Sequence, residues 1–409
     1  MQAQETLQSA PAKRYCSPIA MMVVMTIATA ATSFCMMKFP PIMTYVMANY
    51  EVRQDLMGLL MSSTNIVGFI FAVAIGYANR NYKPKWTGFL GFAVMALANI
   101  MAMNTHNFAV LIISRVIEGT GMGILSNLTI ALVVTYFKGA RATATAIVNA
   151  GMTAGEVIHY NVAPRLAEST GGSLRDVYLY IIATFVVMAV VMLVFLWREP
   201  SIANGSREAV PKSAPTEADK ARKAEVLRNK SLWLVAIAMF IFNFVMISFS
   251  QYAIDFMGTK GIDNVTASTL TSVASSIRTV MMIVVGILAD RISSKRKPAM
   301  AGFVGIAIMY LLLAILPGNM IMVYIVLSAV VPSPVTVSTY SCYPDIFGDA
   351  SYTPVAHGVV QTMARLSMLV GSTIMGFLIT NLGYLATIYI LIPLALAAAC
   401  CWFFAKRVK

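Results

Sequence analysis

Gly76-Tyr77-Ala78-Asn79-Arg80, followed by Lys83 and Lys85, returns in outline 210 residues later as Gly286-Ile287-Leu288-Ala289-Asp290-Arg291, followed by Lys295, Arg296 and Lys297. Each copy closes a long apolar run with a basic turn. A chain punctuated in this way reads as a duplicated membrane protein.

The surrounding sequence agrees. Of its residues 58% are hydrophobic and 11% charged, with a mean hydropathy of +0.75, whereas about a quarter of the residues in a soluble domain are charged. A hydrocarbon core about 30 Å thick takes roughly 20 apolar residues per helix. Runs of that kind fall near residues 18–46, 56–77, 86–104, 109–136, 142–164 and 177–197, and again near 231–257, 265–289, 299–316, 320–343, 355–380 and 385–404. The expected fold class is therefore all-α, with twelve transmembrane helices in two pseudo-symmetric six-helix bundles. The bundles are assigned to residues 1–197 and 231–409. Between them, 198–230 is rich in Lys, Arg, Glu, Ala and Ser, with three prolines, and is expected to be a flexible cytoplasmic tether.

The net charge of +13 does not point to nucleic acid. With both termini placed inside, 22 of the 30 basic residues fall in cytoplasmic segments and only Arg53, Arg165, Arg175 and Lys260 in outer loops. This is the positive-inside asymmetry, and it sets the predicted orientation. The basic residues are spread over a membrane face without aromatic interleaving, unlike a nucleic-acid surface. The first apolar run is too long for a signal-peptide core and is expected to remain as a span. Cys16, Cys35, Cys342, Cys400 and Cys401 lack metal-ligand spacing and read as small apolar packers; no cofactor or metal is expected.

The chain resembles the major facilitator superfamily of secondary transporters over nearly its whole length. Gly286 to Arg296 is similar to that superfamily's loop between the second and third helices of a half. The resemblance implies gating roles for Gly286, Asp290 and Arg291, and for Gly76, Asn79 and Arg80 in the first copy, where Asn79 replaces the expected acid. Arg115-Val116-Ile117-Glu118-Gly119-Thr120-Gly121-Met122-Gly123 resembles the family's fourth-helix motif. Gly151 to His159 lacks the Gly-Pro pair of the fifth helix in drug exporters, which argues against the drug/proton branch. The function implied is alternating access, two halves rocking about a site near the bilayer midplane.

Four basic residues remain inside predicted spans: Lys38, Arg115, Arg278 and Arg365. Each costs about 2.5–3.5 kcal/mol at a helix centre on insertion scales, so each needs a reason. Arg278 lies 12 residues before Asp290, roughly 18 Å from that end of its helix at about 1.5 Å per residue; Arg365 is roughly 15 Å deep by the same measure. Two guanidiniums facing a common cavity would make an anion site, because the planar fork matches a carboxylate. The other reading is that each locks the fold through backbone carbonyls. The pair is also similar to the basic residues of oxalate/formate exchangers and monocarboxylate porters, which implies a carboxylate cargo. Tyr252 and Tyr340 are candidate polar contacts in the cavity, with Asn65, Asn243, Gln251 and Ser338.

In the first half, Arg115 and Glu118 are spaced i, i+3 on one helix face, as are Glu156 and His159. A carboxylate beside Arg and His can take and release a proton, so Glu118, Glu156, His159 and Arg115 are the proton-coupling candidates. Lys38, just before Pro40 and Pro41, is expected to snorkel to the headgroups.

The function expected is transport of a small organic anion, a mono- or dicarboxylate, by proton symport or anion exchange. A proton-driven multidrug or metabolite exporter of the same superfamily is the alternative. No nucleophile elbow or metal spacing supports an enzyme. The expected partners are the anionic substrate, protons and the lipid bilayer, the chain acting as a monomer in a bacterial inner membrane.

Overall fold

A computed structural model of the chain describes residues 17–66, 83–137, 141–196, 224–291, 295–348 and 352–405. Among these, every regular element is helical. The first bundle contains α1 (Pro18–Met36), α2 (Met43–Tyr50), α3 (54–66), α4 (Pro84–Met103), α5 (Phe108–Tyr136), α6 (Arg141–Ser169) and α7 (Arg175–Phe195). The second contains α8 (Lys230–Phe242), α9 (Ala253–Thr259), α10 (Asn264–Arg291), α11 (Arg296–Ile315), α12 (Ile321–Val330), α13 (Pro332–Ser341), α14 (Tyr343–Phe347) and α15 (Thr353–Phe404).

Helix is the form that satisfies every backbone group within a segment, and lipid offers no alternative partner. It therefore prevails even in α7, whose Val-rich sequence would favour a strand in water. Its outer face is bare hydrocarbon, with Val187 59% and Val194 66% exposed. Such a surface has a place against lipid and none in water.

Eight described helices are long and apolar enough to cross a membrane, one of them the 50-residue run Val355–Phe404. That run is roughly 75 Å of helix, more than twice a hydrocarbon core. It is broken at Gly383, whose φ of 79° and ψ of 169° divide it into two crossings; a side chain is strained at that φ. Other crossings are interrupted for visible reasons. Pro40 and Pro41 end α1 and open a short 3-10 turn before α2. Between α8 and α9, Asn243–Ser248 is a π-helical stretch, and the Tyr310 hydroxyl donates to the Val245 carbonyl at 2.6 Å. Taking α1 with α2, α8 with α9 and α12 with α13, the described residues hold eleven crossings, five before the linker and six after it, besides the described part of α3.

The tether differs from expectation at its end. Residues 224–228 form a helical turn in which Val226 is buried; Glu225 accepts from Tyr352 at 2.7 Å, and Trp233 Nε1 donates to the Leu227 carbonyl at 2.8 Å. One apolar pair among the charges, plus Asn229 capping α8 through the Leu232 amide at 3.2 Å, docks this stretch on the second bundle.

Helices α6 and α10 are absent from the eight strongly apolar runs because they meet each other across the bundle interface. Thr279 donates to Thr153 at 3.1 Å, Ser275 to Glu156 at 2.7 Å, Asn161 to Ser272 at 2.9 Å and Arg165 to Thr269 at 3.4 Å. The rungs descend one helix as they climb the other, over roughly 18 Å. The pseudo-symmetric contact joins α3 to the first part of α15: the Asp55 amide donates to Thr380 at 3.0 Å, and Ser62 meets Thr373 at 2.8 Å. Asn264 adds a bond to the Pro41 carbonyl at 2.7 Å. Among the described residues, the cross-bundle hydrogen bonds all lie from mid-membrane toward the face opposite the described chain ends, so the bundles are shut on that side.

Gly376 makes the second contact possible. A Cβ there would stand 2.3 Å from the Gln54 carbonyl oxygen and 2.5 Å from the Tyr252 hydroxyl. Gly376→Val is therefore expected to hold the bundles apart at this face, and labelling of a Ser62→Cys probe by a maleimide should rise several-fold. Unaltered labelling would contradict the packing.

Candidate functional site

Among the described residues, the charged side chains deep in the crossings fall into two groups, one sealed inside the first bundle and one facing the gap between bundles; Asp255, near the end of its crossing, accepts from the Tyr384 hydroxyl within the second bundle. The sealed group is built on Glu118. Its Oε2 accepts from Lys38 Nζ and Arg115 Nη1, both at 2.6 Å, and its Oε1 accepts from Asn99 Nδ2 at 2.8 Å. Lys38 also donates to Asn99 Oδ1 at 2.7 Å. All four residues are at most 1% exposed. The Arg115 guanidinium lies 4.9 Å from the centroid of the Phe39 ring, and Lys38 Nζ 5.8 Å from that of Tyr178.

This corrects the expectation for Lys38. It does not snorkel, because the chain breaks at Pro40 and turns the ammonium inward toward Glu118. Asn99 escaped the sequence reading altogether; its only signal was an amide in the middle of an apolar helix.

Glu118 and Arg115, both proton-coupling candidates, are thus engaged with each other and with Lys38 and Asn99. A carboxylate held by two cations and an amide is a fixed anion tying α1, α4 and α5 together. His159 is also sealed, at 0% exposure. Its Nε2 is 3.2 Å from the Lys38 carbonyl, and its ring stacks on Tyr180 at 6.2 Å. Glu156 and His159 do not form the expected pair. Three residues apart on a helix, they straddle its boundary: His159 turns into the bundle, while Glu156 turns to Ser275 on α10.

Facing the gap are Glu156, Arg278 and Arg365. Arg278 is half-buried one residue before Thr279, the innermost rung of the α6–α10 contact. It lies within electrostatic reach of Glu156, Tyr160, Tyr310 and Tyr324, and its Nε is buried without a hydrogen-bond partner. No local signal marks the acid of the other bundle, Glu156, that stands near Arg278. Arg365 is exposed. At about 100° per residue, it shares a helix face with Ser372 and Gly376, which meet α3 and Tyr252 farther along. Ile374 and Phe377, large and exposed, lie well round the helix from it. Arg365 therefore points into the space between bundles and away from lipid. Among the described residues, neither arginine forms an ion pair.

Tyr340 is 38% exposed, and its hydroxyl accepts from Gln361 Nε2 at 3.3 Å. Gln361 stands one turn from Arg365, and His357 one turn further, with Nδ1 3.4 Å from the Tyr343 hydroxyl. Both extend the polar face and were missed; their i, i+4, i+8 spacing with Arg365 was the available signal. Tyr252 is a correction. It is 0% exposed, and its hydroxyl donates to the carbonyls of Gln54 at 3.1 Å and Ser372 at 2.9 Å, so it clasps the closed face and is withheld from any substrate. Gly76, Asn79 and Arg80 lie outside the described residues. Gly286, Asp290 and Arg291 form the last turns of α10, their side chains also lying outside what is described.

The sequence profile of the Major Facilitator Superfamily matches residues 25–347 and 253–409. The chain belongs to that superfamily and is a multi-pass membrane transporter, not an enzyme. It is 26% identical to the hexuronate transporter of Bacillus subtilis (strain 168) over 194 residues, 47% of this chain and 45% of the relative; the match thus spans under half of the relative's length. Solved structures share the fold: a bacterial homologue of the human lysosomal transporter Spinster, in an inward-facing and occupied conformation, has a TM-score of 0.76 at 12% identity, covering 95% of this chain and 96% of that one. The nucleoside transporter NupG gives 0.73 at 14% identity, covering 94% and 99%.

The sealed cluster carries two cations and one anion, so its members are not equivalent. Glu118→Gln leaves two buried cations uncompensated and is expected to cost about 3–5 kcal/mol. Lys38→Met leaves a neutral Arg115–Glu118 pair and should cost less. Unfolding in detergent by denaturant tests the order; a more stable Glu118→Gln variant would refute the role given to the carboxylate.

Proposed function

We propose that the chain moves a small organic anion, a mono- or dicarboxylate, by alternating access, with Arg278 and Arg365 as the anion-binding pair. The observation that carries this reading is two guanidiniums facing the gap without an ion-pair partner. Arg278 is partly withdrawn from water, where a charge is normally paired, and Arg365 is exposed to the gap; a carboxylate entering there could meet both through charge-assisted bonds. Gln361 and Tyr340 flank Arg365 as uncharged contacts. The similarity to a hexuronate transporter, named for a sugar acid, supports the substrate class.

Coupling to protons is assigned to Glu156. Its hydrogen bond from Ser275 crosses between bundles, so its surroundings change when they part. Glu118, Arg115 and His159 act instead as scaffold. The bundles of residues 1–197 and 231–409 rock about the 198–230 linker, whose docked end moves with the second bundle. The basic turns after Gly76 and Gly286 serve the opposite gate, with both termini cytoplasmic.

Uptake into proteoliposomes tests the reading, with a panel of hexuronates and simpler mono- and dicarboxylates. Arg278→Gln and Arg365→Gln should each lower saturable uptake by about one to two orders of magnitude, the loss expected for hydrogen bonds to a charged group. Wild-type rates in both variants would discard the pair. Glu156→Gln should retain anion exchange while losing acceleration by an inward proton gradient, and an intact gradient response would remove Glu156 from coupling.

A further inference from the structure

A second polar cavity lies away from the gap. It opens on the face opposite the described chain ends, within the first bundle, where the end of α2, the α4–α5 loop and the start of α7 meet. This cleft of about 480 Å³ is lined by Asn49, Tyr50, Asn104, His106, Arg175 and Tyr178, among others, and by no Asp or Glu. Its size is within the range of small-molecule sites, roughly 300–1,000 Å³.

Its walls and floor differ in character. Tyr50 is committed, its hydroxyl donating to the Thr105 carbonyl at 2.9 Å. Arg175 and His106 are exposed cationic and imidazole groups at the rim. Tyr178 is 2% exposed, and its hydroxyl is buried without a hydrogen-bond partner. A buried phenol normally finds one. Behind its ring stand Lys38 and the rest of the sealed cluster, two cations against the single carboxylate of Glu118. That cluster holds one more cation than anion, and the unused group at the floor is a donor.

We infer that this cleft is a second anion site, one that takes a small carboxylate between the Arg175 guanidinium and the Tyr178 hydroxyl. The guanidinium fork and the phenol O–H supply directional donors, whereas the Asn49 and Asn104 side-chain amides that line the cleft donate to backbone carbonyls. Because the cleft lies inside one bundle, it stays open to this face while the α6–α10 and α3–α15 contacts are shut. It does not rest on the assignment of Arg278 and Arg365.

A local probe keeps the two sites apart. Asn104→Cys in the full chain is labelled with a membrane-impermeant maleimide in lipid-free detergent, above the background of the native cysteines, with and without acetate. Acetate should slow labelling, and the concentration needed should rise about tenfold with Tyr178→Phe, which removes one hydrogen bond to a charged group. Arg175→Gln, at an exposed position, should raise it at least as much, whereas Arg278→Gln should leave it unchanged. Absence of protection by acetate would overturn the site. So would protection that survives both Tyr178→Phe and Arg175→Gln, or that is lost with Arg278→Gln. Equal protection by chloride at the same concentration would overturn its assignment to carboxylates.

Discussion

A charge inside a bilayer is costly wherever it points, and the placement of six ionisable side chains organises this molecule. Lys38, Arg115 and Glu118 are withdrawn together into one bundle, where the carboxylate accepts from both cations and from Asn99. Glu156, Arg278 and Arg365 are turned to the space between bundles. No single helix could achieve either arrangement, because each group is supplied by several crossings. The cost of stranding any member therefore falls on the packing of the whole bundle, and the cluster specifies that packing as firmly as its apolar neighbours do.

The interface between bundles follows a different rule. The α6–α10 contact is a ladder of hydroxyls and amides, with the Glu156 carboxyl as its acid. Individually modest bonds, about 0.5–1.5 kcal/mol net each, suit a surface that must part and close again. A sealed ion-pair cluster there would be hard to open, and an apolar seam would leave bare hydrocarbon in a wet gap. The close approach at Gly376 and the clasp of Tyr252 add shape to the same surface. The chain thus uses its strong interactions within bundles and its weak ones between them, as a rocking mechanism requires.

The crossings were legible in the sequence, because the length and hydropathy demanded by lipid leave little latitude. Predicted spans such as 109–136 and 265–289 meet α5 and α10 to within a residue or two. The four intramembrane basic residues could also be found by subtraction. What each one faces could not. Lys38 near a helix end fitted snorkelling equally well until Pro40 and Pro41 turned the chain inward, and Glu156 with His159 looked like a pair until α6 was seen to straddle two environments. Tyr252 and Tyr340 were alike in sequence, yet one is sealed under two carbonyls and the other is open to Gln361.

From residues taken in order, hydropathy, length and charge establish an all-helical membrane protein built as two halves, with Arg278 and Arg365 stranded deep in the spans of the second. Which charges pair with one another, and which face the gap without an ion pair, emerges only when the helices pack. Pairing depends on which faces of distant helices meet, and residues 80 apart, such as Lys38 and Glu118, have no local signal that they will share a proton-sized gap.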